Sequence, residues 1–333
     1  MAEAHDDWLA RTPEEALEPD LPIVDPHHHL WDREGWDRFL MPELRADTTS
    51  GHRIEGTVFV ECGTGYRSDG PPELRPVGET EFVVQAGEVA RRDGGPDIRG
   101  VVGTADLRLG AVLDAVLDAH VEAAGGRFRG IRDRVAHDPN GSPVGRDDPQ
   151  PPAGLMLDPD FRRGVEALGR RGLVFDAWLY HPQLTELVDL ARAVPGTTIV
   201  LDHVGGPLGV RAYKDKAEEV EAVWRAGMTA VAACPNVVVK VGGIGMPMYG
   251  SGWFRAERPP SSDEIVAAWG DRLRFVIDTF GPDRCMFESN FPVDRLSFSY
   301  VVLWNAFKKL SASYTPAERA ALFHDTAVRT YAL

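Results

Sequence analysis

A single (β/α)8 (TIM) barrel is the fold this sequence predicts, and three observations predict it. Eight short runs rich in β-branched residues recur along the 333 residues. Stretches of helical period separate them. The residues able to do chemistry fall at the C-terminal ends of the runs, the face that carries the site in such barrels.

The first run, Ile23–His29, ends in Asp-Pro-His-His-His. Side chains alternate along a strand, so His27 and His29 share a face and His28 takes the other. Two imidazoles two residues apart can grip one metal ion. The other runs are Gly56–Cys62, Ile98–Ala105, Phe128–Asp133, Leu173–His181, Thr197–His203, Val237–Gly242 and Cys285–Phe291. Glu61 ends the second, Arg132 the fourth, His181 the fifth and His203 the sixth. Glu288 and Asn290 end the eighth.

Between the runs, Phe82, Ala86, Val89 and Ala90 share one helical face, as do Phe161, Val165 and Leu168. Asp158-Pro159 reads as a cap with proline at the first helical position, and Gly172 as the stop. Thr315-Pro316-Ala317-Glu318 reads as a capping box opening the last helix. Two long loops remain. Arg134–Leu157 is rich in Pro, Gly and Asp. Gly245–Ser262 carries Met246, Met248, Tyr249, Trp253 and Phe254, more large apolar groups than a solvated loop usually holds. Loops of this length are often lids or binding loops, so Tyr249 and Trp253 are expected to touch substrate.

Residues 1–20 form an acidic leader with no apolar core, and 21–333 the barrel. The net charge of -15 argues against nucleic-acid and anionic-membrane partners. No run approaches the ~20 apolar residues of a membrane span. Cys62, Cys234 and Cys285 are odd in number and far apart, which reads as reduced thiols in a cytoplasmic protein. The expected partner is a small molecule, and the chain is expected to form a homo-oligomer, with a hetero-oligomer containing a related chain left open.

Several stretches resemble the amidohydrolase superfamily, in the amidohydrolase-related branch that includes 2-pyrone-4,6-dicarboxylate lactonase and sugar or muconate-derived lactonases. They are VDPHHHLWD, FRGIRDR, WLYHPQL, VLDHVGGP, NVVVKVGGIGM, RCMFESNFPVD and FHDTAVRTYAL. The resemblance implies a metal-activated water attacking a carboxyl-derived carbonyl, with His27, His29, His181 and His203 as metal ligands. It also implies that Arg132 holds a substrate carboxylate, a task its planar fork suits. Lys240 reads as a structural barrel lysine paired to a carboxylate.

One departure stands out. Where the resembled family usually has Gly-Ser-Asp-Trp-Pro, this chain has Glu288-Ser289-Asn290-Phe291-Pro292. An amide can offer its oxygen to a metal but cannot take a proton near neutral pH. Glu288 and Asp294 are the candidate replacements for the base, and Glu288, Asn290 and Glu61 are further candidate ligands. Alternation turns Asp202 away from His203. One or two divalent ions (Zn, Mn or Fe) are expected. The leading expectation is a metal-dependent hydrolase of a small carboxylated lactone or amide. The alternatives kept open are a dinuclear Fe/Mn oxygenase on the same scaffold, a decarboxylase, and a non-catalytic partner subunit.

Overall fold

The computed structural model describes residues 2–33, 37–92, 94–144 and 149–333. Residues 145–148, part of the first long loop, lie outside them. Eight parallel strands pair in chain order: β1 (Pro22–His28), β2 (Arg53–Val60), β3 (Ile98–Gly103), β4 (Phe128–Arg132), β5 (Val174–Ala177), β6 (Ile199–Leu201), β7 (Val237–Val241) and β8 (Cys285–Phe287). The segment after β8 closes the ring. His29 N donates to Phe291 O at 2.7 Å, and Asn290 N donates to His27 O at 2.9 Å. Every expected strand is present, but several end earlier than their β-branched runs. β5 stops at Ala177, four residues before His181.

Helices connect the strands, and the longer ones bury one face. In chain order they are α1 (Ala2–Leu9), α2 (Met41–Thr48), α3 (Val77–Arg92), α4 (Val112–Ala124), α5 (Pro159–Arg170), α6 (Leu184–Ala193), α7 (Ala217–Ala232), α8 (Ser262–Phe280), α9 (Tyr300–Leu310), α10 (Pro316–Ala320) and α11 (Thr326–Tyr331). The cap at Asp158 forms as its sequence predicts: its Oδ1 accepts Asp160 N at 2.7 Å and Phe161 N at 3.4 Å. Asp158→Ala is expected to lower stability by ~1 kcal/mol, read by denaturant unfolding. Thr315 and Glu318 form the expected capping box at α10.

Two apolar layers hold the barrel. Outside it, residues such as Phe59, Phe175, Leu201 and Phe287 pack under the helices. Inside it, Val24, Val58, Val102, Val174, Val200 and Met286 fill the lower end, with Ala327 and Tyr331 of α11 completing that cluster. Each such side chain contributes ~1.5–3 kcal/mol on full burial. Above this apolar floor the interior becomes charged.

The N-terminal segment is packed on the barrel. Trp8 Nε1 donates to Ala256 O at 3.0 Å and Thr12 Oγ1 to Pro259 O at 2.8 Å. Lys308 Nζ donates to Leu17 O at 2.7 Å and Glu18 O at 2.8 Å. No helix among the described residues is long and apolar enough to cross a membrane.

Candidate active site

Strand parity explains most of the site. Along β5, Val174 and Asp176 point into the barrel, and Trp178 continues the series above it. On β6 and β8, Val200 and Met286 point inward, so Asp202 and Glu288 do too. A register shift after Asp25 in β1 brings His27 to the same interior. His203 then breaks parity. Its φ of 54°, with 49° at Val204, turns the ring back over the barrel beside Asp202. The expectation that Asp202 faces away is therefore corrected: both residues reach the centre.

Three groups form the heart of the site. Glu288 Oε1 accepts from His203 Nδ1 at 2.7 Å and from His203 N at 3.2 Å. Glu288 Oε2 lies 2.8 Å from His27 Nδ1, at an angle that makes no hydrogen bond. All three residues are buried, and their ligand-type atoms lie within 4.8 Å of one another. Gly242 and Gly243 make this approach possible, because a Cβ on the first would collide with Glu288 and one on the second with the His203 ring.

The charges around this cluster are interlocked. Arg132 Nε donates to Glu61 Oε1 at 2.8 Å, Nη2 donates to Glu61 O, and Nη1 lies 3.3 Å from His27 Nε2. Lys240 Nζ donates to Asp176 Oδ2 at 2.6 Å. Burial, followed by the Lys240 charge, holds the His27 pKa well below its ordinary value. Burial, followed by Arg132, does the same to His29. Burial opposes protonation of His203, but Glu288 overcomes it and raises the pKa. Burial disfavours the Asp202 carboxylate, yet Lys240, His203 and Arg132 outweigh it and lower the pKa.

Above the cluster opens a cavity of about 380 Å³, lined by His29, Trp31, Arg33, Glu61, Arg132, Arg134, Trp178, His203, Met246 and Asn290 among others. His29 Nδ1 bonds Val60 O at 2.8 Å, which fixes its tautomer and leaves Nε2 as the acceptor. Arg33 lies 4.6 Å over the Trp31 ring, and Arg134 lies 5.6 Å over Trp178. A larger groove of about 550 Å³, lined by residues such as Met41 and Phe82, is apolar and separate from this cavity.

Several predicted site residues stand elsewhere. His181, expected as a metal ligand, is not brought to the cluster. It follows the early end of β5, accepts from Leu208 N at 3.3 Å and packs edge-on to Tyr213. Burial pushes its pKa down to about 4. Glu61 is engaged by Arg132 rather than by the cluster. Tyr249 and Trp253 do not line the cavity, because their loop folds inward. Tyr249 packs on Trp269 of α8 and its hydroxyl donates to His203 O at 3.4 Å, while Trp253 packs on Phe298. Asp294 lies behind Asn290, fully buried, accepting Asn290 Nδ2 at 2.9 Å and Gly245 N at 2.8 Å. It therefore holds Asn290 and the β7–α8 loop in place, and it does not line the cavity. Asn290 lines the cavity, its Nδ2 held by Asp294. His29 also lines it, outside the His27–His203–Glu288 group.

Burial pushes the Asp294 pKa up to about 7, against the opposing Gly245 N–H. Asn290→Asp would set a second carboxylate where an amide now donates, 2.9 Å away. The two carboxyls would share one proton, as adjacent buried carboxylates do. The folded variant holds that proton more tightly than the unfolded chain, so its stability falls as pH rises through neutrality. Its melting temperature is expected to fall below wild type by more at pH 8 than at pH 5.

The sequence model of the Amidohydrolase family matches residues 24–333. The chain belongs to the amidohydrolase family. Among amidohydrolase relatives, the L-fucono-1,5-lactonase of Burkholderia multivorans is 31% identical over 324 residues, covering 93% of this chain and 96% of that protein. An uncharacterized protein, y4mH of Sinorhizobium fredii, is 34% identical over 333 residues, covering 94% and 99%. A crystal structure of an amidohydrolase from Burkholderia multivorans with bound zinc superposes with a TM-score of 0.67 at 25% identity, covering 93% of this chain and 99% of that one. A Pseudomonas putida protein described as a 2-pyrone-4,6-dicarboxylic acid hydrolase shares the fold at 19% identity and a TM-score of 0.61. Membership of the amidohydrolase family makes this chain an enzyme of hydrolase type.

The cluster fits a divalent ion on its own chemistry. Two imidazoles and a carboxylate suit Zn, Mn or Fe. His27, held neutral, offers a lone pair. Glu288 Oε2 is a buried acceptor with no hydrogen-bond partner. A second metal pocket built with Glu61 is not assembled: His27, His203 and Glu288 are the one such group among the described residues.

Proposed function

We propose that this enzyme is a metal-dependent hydrolase of a small lactone bearing an anionic group. One observation carries the reading: two buried imidazoles and an unpartnered carboxylate oxygen converge beneath a cavity of about 380 Å³. That volume suits a single-ring substrate. The L-fucono-1,5-lactonase relative supports a lactone.

His27, His203 and Glu288 would hold the ion, with the Asn290 oxygen at its edge. A bound divalent ion lowers the pKa of water and polarises a carbonyl oxygen. The rest falls to the chain's own groups. His29 Nε2, fixed as an acceptor by the Val60 carbonyl, accepts a hydrogen bond from the attacking water and orients it, and the water's proton passes to the ring oxygen as the ester bond breaks. Arg132, aimed by Glu61, orients the substrate. Arg33 and Arg134 place further positive charge at the mouth of a chain whose net charge is -15, which suits a carboxylate. Trp31, Trp178 and Met246 give the apolar walls that exclude bulk water.

The test is a panel of sugar 1,5- and 1,4-lactones, with and without a carboxylate, followed in a pH-stat after loading the protein with Zn(II) or Mn(II). Hydrolysis above the spontaneous rate, fastest for an anionic lactone, is the expected result. Rates equal to the spontaneous ones across the panel would contradict the reading.

A further inference from the structure

Below the His27–His203–Glu288 cluster lies a second nest of ligand-type atoms, and an ammonium group sits in it. Lys240 Nζ is 2.6 Å from Asp176 Oδ2, 3.2 Å from Asp202 Oδ1 and 3.2 Å from His27 Nδ1. All four residues are fully buried. Two carboxylates and an imidazole surround the ammonium, each within 3.2 Å of it, and both are ligand types for Zn, Mn or Fe. Asp176 Oδ1 and Asp202 Oδ2 make no hydrogen bond, so the carboxylates keep binding capacity that the ammonium does not use. From the floor of the barrel, the Tyr331 hydroxyl donates to Asp176 Oδ2 at 2.8 Å.

Two buried carboxylates this close together need a cation between them. Lys240 is placed to supply it, because β7 carries its stem up the barrel wall and the nest takes its head. We propose that Lys240 is a built-in second cation. Its ammonium fills the position that a second metal ion would take among Asp176, Asp202 and His27, and so confines the barrel to one ion. Lys240 is thus a positioning residue: together with Glu288 Oε2 it faces His27 Nδ1, at 3.2 and 2.8 Å. The proposal rests on the metal-binding reading above for the first ion alone; the nest itself is independent of it.

The experiment counts ions. Wild type, Lys240→Ala and the double variant Lys240→Ala with Asp176→Ala are stripped with chelator, loaded with excess Mn(II), desalted and analysed for metal per chain. Thermal unfolding with and without Mn(II) is recorded alongside. Lys240→Ala is expected to take up one ion more than wild type and to gain more melting temperature from Mn(II) than wild type does. The double variant is expected to return to the wild-type count. If Lys240→Ala refolds only with Mn(II) present, that is the same result seen through stability.

A wild-type chain that takes up two ions overturns the proposal whatever the variants do. A Lys240→Ala chain that binds no more than wild type, or whose refolding is indifferent to Mn(II), also overturns it. If wild type binds none while Lys240→Ala binds one, the proposed function loses its metal and the role of Lys240 stands.

Discussion

Glu288→Gln is expected to abolish tight metal binding and reduce hydrolysis by more than ~100-fold, because replacing even an outer partner of a metal ligand costs 10–100-fold. Glu288 touches both imidazoles, at 2.7 Å from His203 Nδ1 and 2.8 Å from His27 Nδ1. Glutamine keeps the shape and one acceptor oxygen, so the fold survives. It removes the negative charge and presents an amide NH2 to one of the two rings. The loss should fall on kcat, with KM changing little, since Arg132, Trp31 and Trp178 keep the cavity walls. Elemental analysis and initial rates on the same sample check this. Full metal content in a folded Glu288→Gln chain would remove Glu288 from the ligand set.

Arg132→Met is expected to damage stability and binding together. The guanidinium ties Glu61 to the barrel through Nε and Nη2 and lies 3.8 Å from Asp202 Oδ2. Taking one partner from a buried pair costs ~3–5 kcal/mol, because the other charge stays buried and alone. Glu61 reaches the cavity, so the loss should sit near the lower end of that range. KM should rise at least ~10-fold, the loss of one charge-assisted pair to substrate. Arg132→Lys should fail nearly as badly, since an ammonium cannot reproduce the fork that grips Glu61. Denaturant unfolding and steady-state kinetics separate the two effects.

The sequence made the scaffold and half of the site legible. Eight alternating runs with caps such as Asp158 are local signals, and the barrel follows from their order. His27, His203 and Glu288 were legible because each lies at a strand end next to a recognisable stretch. What failed, failed through strand length and backbone turns. The β-branched run of the fifth strand reaches His181, but pairing ends at Ala177, so parity delivers Trp178 to the cavity and leaves His181 outside. The positive φ at His203 is invisible to an alternation argument; it turns the His203 ring to the interior that parity with Val200 already gives Asp202. Asp176 reads as an ordinary strand residue until the barrel sets it beside Lys240. Tyr249 and Trp253 signalled burial correctly, but against α8 and Phe298 rather than substrate.

Hydrolysis at the barrel mouth is expected to depend on one divalent ion held by His27, His203 and Glu288. The most direct measurement strips the protein with chelator, adds Zn(II) or Mn(II) back in steps, and follows lactone hydrolysis against bound metal. The expected rate rises linearly with occupancy and levels off at one ion per chain. A rate that is unchanged when the protein holds no metal would contradict it.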